Sequence, residues 1–210
     1  MPRSFQSLNL FSITVLGLVL MTGTTVTVTS AEKSKFNRRV NIGDAAPDWR
    51  DLKGVDDQMH SLSDYADDKI LVLMFTCNHC PVAKSYEARV KSLVDEYAEQ
   101  GVKIVAISCS KFPADSLEKM KNRAESEKFN FDYVQDLSQQ TGLIYGASVT
   151  PQIFVLDEQR HIAYMGAIDD NMQVAKVKHH YLKDALDALL AGTPLEITET
   201  KPKGCEIEYE

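Results

Sequence analysis

Ile70-Leu71-Val72-Leu73-Met74-Phe75 runs directly into Thr76-Cys77-Asn78-His79-Cys80-Pro81. Six consecutive apolar residues have the length of a strand buried on both faces. From Pro81 to Gln100 the apolar residues Val82, Tyr86, Val90, Leu93, Val94 and Tyr97 recur at helical spacing, and Gly101 ends the run. Cys77 and Cys80 therefore stand where a core strand hands over to a helix. Unpaired N–H groups and the macrodipole at a helix start favour a negative charge, and the thiolate is the reactive form of cysteine. The expectation is that Cys77 is the exposed nucleophile. Cys80, one turn on, would attack a mixed disulfide on Cys77 and release the product. Pro81 disfavours helical dihedrals at Cys80, so the regular helix begins at Pro81 or bends there.

The remaining elements follow from the same signals. Residues 32–41 are polar and read as a flexible segment. Ile42 to Trp49 is an irregular entry rich in turn formers. Asp51 to Ser63 reads as a short hairpin, and Ser63-Asp64 opens a helical turn. Val102 to Ile107 is a second core strand, and Pro113-Ala114-Asp115 starts a charged helix reaching about Lys128. Tyr133-Val134 is a weak strand, and Leu137 to Tyr145 is a short helix closed by Gly146. Gln152 to Leu156 and Ile162 to Met165 form a hairpin, and a final helix is expected from about Met172 to Leu190. Thr193 to Glu210 reads as a polar tail. Strands alternating with helices imply parallel pairing, and the closing hairpin makes the sheet mixed. The class is α/β: a central mixed sheet flanked by helices, with an N-terminal hairpin extension. One domain spans 42–192, and no internal repeat is evident.

The first 31 residues read as a targeting segment. Arg3 precedes the apolar stretch Leu8 to Met21, and Thr29-Ser30-Ala31 offers a cleavage site. Export to a bacterial periplasm is expected, with no stable membrane insertion after cleavage; the alternative is an N-terminal anchor. Outside the cytosol all four cysteines (77, 80, 109 and 205) could take part in redox chemistry. The net charge of −7, without a basic run, argues against nucleic acid as a partner. A structural zinc site needs four ligands, and no second Cys-x-x-Cys or His-x-x-x-His follows; His179 and His180 are adjacent and point different ways. No cofactor or metal is expected.

Three further positions matter. His79 either tunes the thiols, a neighbouring imidazolium favouring the reduced pair, or is a solvated loop residue. Cys109, ending the second strand, reads as a small buried hydrophobe. Cys205, beside Gly204 in the tail, is a third redox cysteine, a partner of Cys109, or inert. Thr150-Pro151 heads the strand Gln152 to Leu156, a position where proline withdraws no ladder donor. A trans peptide is the commoner form for such a proline.

Tetrad, Thr150-Pro151 and element order together resemble the thioredoxin-like superfamily over about Val40 to Leu190. The entry Ile42 to Trp49 and the Leu62-Ser63-Asp64 turn are similar to AhpC/TSA-type and TlpA/ResA-type redoxins. Phe75 to Ala83 and Gly204-Cys205-Glu206-Ile207 look like a subgroup of exported bacterial redoxins. The resemblance implies Cys77 as attacking and Cys80 as resolving cysteine, with Pro151 cis beside them. It implies thiol–disulfide oxidoreductase activity on exported protein thiols or a redox partner protein. The chain departs from thioredoxins in having Thr76 before the first cysteine and Asn78-His79 between the two. No counterpart of the buried carboxylate that serves proton transfer in thioredoxins can be placed. The alternatives are a thiol peroxidase, using Cys80 or Cys77, and a copper(I) chaperone using both thiols and a histidine, since soft thiolates suit that ion.

Overall fold

The computed structural model describes Met1 and residues 33–210; the targeting segment falls outside the described residues. Among the described residues, nine strands and four α-helices follow in chain order. They are β1 (Leu52–Gly54), β2 (Met59–His60), β3 (Ile70–Phe75), α1 (Pro81–Tyr97), β4 (Val102–Ser108), α2 (Leu117–Ser126) and β5 (Asp132–Gln135). Then come α3 (Gln140–Tyr145), β6 (Val149–Thr150), β7 (Gln152–Leu156), β8 (Ile162–Gly166), α4 (Tyr181–Ala191) and β9 (Cys205–Glu206).

Seven strands make one mixed sheet in the order β2-β1-β5-β4-β3-β7-β8. β3, β4 and β5 are parallel neighbours, whereas β7 and β8 close one edge antiparallel and the β1–β2 hairpin closes the other. β3 is buried along its whole length and alternates between two cores. Ile70, Val72 and Met74 pack under α1 and α4, against Tyr86, Val90 and Leu186. Leu71, Leu73 and Phe75 face the opposite layer, against Trp49, Tyr65 and Tyr145. No described helix is long and apolar enough to cross a membrane.

Four expectations change. The helix starting at Pro113 is split: Pro113–Asp115 forms a 3-10 turn, and α2 starts after Ser116, whose ψ of 151° is extended. The last helix begins at Tyr181, because the Asp170 carboxylate accepts from the N–H groups of Lys178 and His179 and keeps that stretch out of a helix; both histidines therefore precede α4. Residues 34–41 are tied down: Asn37 Nδ2 donates to Tyr145 O at 2.8 Å, and Val40 is buried. The tail is docked, with β9 pairing antiparallel to β6, Ile207 N bonding Ser148 O, and Tyr209 Oη bonding Ala147 O.

Candidate active site

Parallel pairing of β3 with β4 and antiparallel pairing with β7 set Phe75 level with Ile107 and with Gln152. The loop after β3, the loop after β4 and the Thr150–Pro151 segment therefore converge at one end of the sheet. Thr76 N donates to Ile107 O at 2.9 Å, holding the chain extended up to the first cysteine. Cys80 is the N-cap of α1, with the extended backbone (φ −70°, ψ 115°) that a following proline demands. Its Sγ accepts from Ala83 N at 3.3 Å and lies 3.1 Å from Thr150 O. Cys77 Sγ lies 3.4 Å from Thr150 Oγ1. The Thr150–Pro151 peptide is cis, so the commoner trans form does not hold here.

Both thiols are nearly inaccessible, which corrects the picture of an exposed Cys77. Cys77 retains 4% of its surface and Cys80 none. What distinguishes them is the side they face: Cys77, not Cys80, lines the cleft between the loop after β4 and the tail. The charge is also distributed otherwise than the sequence suggests. Cys80 is held down at about 4, chiefly by the hydrogen bond from Cys77, with Cys205, Thr150 and the Ala83 N–H adding to it against the opposing effect of burial. Cys77 is pushed well above the ordinary thiol range, because its proton makes that bond and because burial and the Asp115 carboxylate oppose a second charge. The reason is positional: the N-cap is Cys80, and Cys77 stands three residues ahead of the helix.

Asp115 is the residue that sequence reading missed. It is fully buried at the end of the Pro113–Asp115 turn. Its Oδ1 accepts from Asn78 N at 2.6 Å and His79 N at 3.1 Å; its Oδ2 accepts from Ser110 Oγ and meets His79 Nδ1, both at 2.5 Å. The other ring nitrogen, Nε2, lies 3.9 Å from Cys77 Sγ. His79 is thus a held residue rather than a solvated one, with the Phe112 ring packed 4.7 Å from its own. Cys77, His79 and Asp115 offer ligand atoms within 4.8 Å of one another. The carboxylate, however, is already committed to four donors. That arrangement suits an oriented imidazole better than a three-ligand metal centre.

Cys77 opens on a cleft of about 200 Å³, lined also by His79, Phe112, Thr150 and the tail residues Glu206 and Ile207. Cys109 contributes to its lining but is 3% exposed, and burial pushes its thiol up, as expected of a packing residue. Cys205 lies apart from Cys109, packed with Cys77, Cys80 and Ala83.

A thioredoxin-like fold with a paired-thiol site at a helix N-cap defines a redoxin. Residues 42–165 match the AhpC/TSA family, and the chain belongs to that family. It is similar to an uncharacterized conserved protein from Geobacillus kaustophilus, at 32% identity and a TM-score of 0.76, covering 87% of this chain and 97% of that one. A hypothetical protein from Sinorhizobium meliloti is similar at 28% identity and a TM-score of 0.75, covering 83% and 97%. The thioredoxin domain of a thiol-disulfide oxidoreductase from Bacteroides vulgatus shares the fold at 17% identity and a TM-score of 0.51, covering 59% and 86%. No curated protein matches the chain.

Proposed function

We propose that this protein is an exported thiol–disulfide oxidoreductase that works through a reversible Cys77–Cys80 disulfide on protein thiols. The observation that carries this reading is the division of labour between two thiols of one cluster: one on the cleft, one on the helix N-cap. A substrate disulfide in the cleft reaches Cys77 alone. The Cys77 proton passes to Cys80 or to His79 Nε2, and the Cys77 thiolate attacks one substrate sulfur, releasing the other as a thiolate. Any proton taken up by Cys80 passes to the released substrate thiolate; the Cys80 thiolate then attacks Cys77 Sγ, frees the second substrate sulfur as a thiolate, and closes the internal disulfide. Two electrons move from the dithiol to the substrate; run backwards, the same steps oxidise a substrate dithiol. The apolar stretch Leu8 to Met21 and the small residues before Glu32 support an exported location. Insulin reduction and the oxidation of a reduced, unfolded protein test the activity in both directions. Cys77→Ser should abolish each, and full activity in that variant refutes the reading. The reduction potential of the couple then assigns the direction.

A further inference from the structure

Gly204 and Cys205 cross the site at close range. A Cβ on Gly204 would lie 2.0 Å from Thr150 O, so only glycine lets the tail pass there. Cys205 stands in register with Thr150 in the β6–β9 pair, and the Thr150 carbonyl oxygen lies 3.1 Å from Cys80 Sγ. The tail is anchored beyond this point by Ile207 N on Ser148 O and by Glu210 N on Gln139 Oε1. The Cys205 side chain packs with Val82, in the first turn of α1, against the cluster of Cys77, Cys80 and Ala83. Cys80 therefore has two thiols packed in one cluster with it: Cys77, on the cleft, and Cys205, on the tail.

We infer that Cys205 is a third redox cysteine, which takes over the disulfide from Cys77 by attacking Cys80. This rests on the Cys77–Cys80 couple proposed above. In the step, the Cys205 thiolate attacks Cys80 Sγ, the Cys77–Cys80 bond breaks, and a Cys80–Cys205 bond forms. Cys77 leaves with the electron pair and takes up the proton that Cys205 gave up. Nothing is oxidised or reduced overall, and no further reagent is needed. The disulfide moves from the cleft to the tail, where Cys205 is the more exposed sulfur, and Cys77 is free again.

The arrangement also times the step. In the reduced protein, burial first and then the charged Cys80 hold the Cys205 thiol above its ordinary range. Oxidation of Cys80 removes that charge. Cys205 then becomes a better nucleophile at the moment its target disulfide exists.

Purified protein oxidised with one equivalent of diamide, treated with iodoacetamide and mapped by non-reducing peptide mass spectrometry tests this. Wild type should yield a Cys80–Cys205 peptide and alkylated Cys77. Cys77→Ser should form Cys80–Cys205 within one chain, and oxidised Cys205→Ser should leave Cys77 unlabelled. The wild-type map depends on no variant folding. If Cys205→Ser forms Cys77–Cys80 while neither wild type nor Cys77→Ser gives a Cys80–Cys205 bond, the transfer is overturned and the oxidoreductase reading stands. If no Cys77–Cys80 bond forms in wild type or Cys205→Ser, both fall.

Discussion

Asp115 Oδ2 and His79 Nδ1 meet at 2.5 Å across 36 residues of sequence, and the contact turns His79 Nε2 toward Cys77 Sγ. A carboxylate that also receives the Asn78 and His79 N–H groups fixes both the ring and the loop that carries it. Asp115→Asn keeps the size but changes what that position can accept and donate. It is expected to slow thiol–disulfide turnover roughly 100-fold, the lower end for a positioned acid–base group, and to alter the pH profile of the rate. His79→Ala should slow turnover similarly, and the double variant should lose little more than either single one, because both act through one ring. Additive losses in that double-mutant cycle would refute the relay.

The Cys77–Cys80 pair predicts an unusual pH dependence of its reduction potential. Cys80 is lowered from 9.0 to about 4 by the bond from Cys77, and Cys77 is raised. A depressed acid contributes stability that is present above its unfolded value and lost as pH falls through its folded value. Between about pH 4 and 9, then, the folded reduced protein carries one proton on the pair, where two unpaired thiols would carry two. Reduction in that window takes up two electrons and one proton. The potential should fall by about 30 mV per pH unit rather than roughly 59 mV. Equilibration with glutathione at several pH values measures the slope, and a thiolate absorbance persisting below pH 6 in the reduced protein gives an independent check.

The strand Ile70–Phe75, the helix after it and the thiols between them were legible because hydrophobic period and chain order carry them directly. Asp115 was not, since a single acidic residue after a proline looks like an ordinary helix start. A usable signal existed: parallel pairing of β3 and β4 makes the loops after Phe75 and Ser108 neighbours. Any buried-capable polar residue in 109–116 was therefore a candidate for the site. The docked tail was hidden for another reason. Its attachment is largely backbone pairing plus Ile207 and Tyr209, which leaves no periodic pattern in Lys201 to Glu210. Arg89 pairs with buried Asp169, and its guanidinium carbon lies 3.9 Å from the centre of the Tyr86 ring; neither contact has a signature in the residues around position 89.

That pairing carries its own prediction. Asp169 is 4% exposed and accepts from Tyr86 Oη as well as from Arg89. Arg89→Met leaves a buried carboxylate without its cation, and chemical denaturation should show a loss of about 3–5 kcal/mol. The joint Arg89→Met, Asp169→Leu variant should recover much of it. If the single variant is as stable as wild type, the pair does not anchor α1 to the loop after β8.

Gly204→Ala separates the seating of the tail from the chemistry of the pair. The added Cβ meets a backbone carbonyl, which cannot swing aside as a side chain can. The β6–β9 pairing should open at a cost of about 1–3 kcal/mol. Cys205 in the reduced protein should then be alkylated faster by iodoacetamide than in wild type. Equal Cys205 reactivity in variant and wild type would mean that the tail does not depend on this crossing.

Phe112 offers a test of how a protein substrate is held. It is 43% exposed, yet its ring lies against His79 and forms part of the cleft on which Cys77 opens. A large apolar side chain beside a reactive thiol is suited to packing against the apolar residues that flank a disulfide in an unfolded protein. Phe112→Ala should raise KM for a protein disulfide about tenfold, equivalent to ~1.4 kcal/mol of lost contact, with a smaller change in kcat. Glutathione disulfide has no apolar flank to engage the ring, so its kinetics should be nearly unaffected. If both substrates lose activity to the same extent, Phe112 acts by positioning His79 and not by binding the substrate chain.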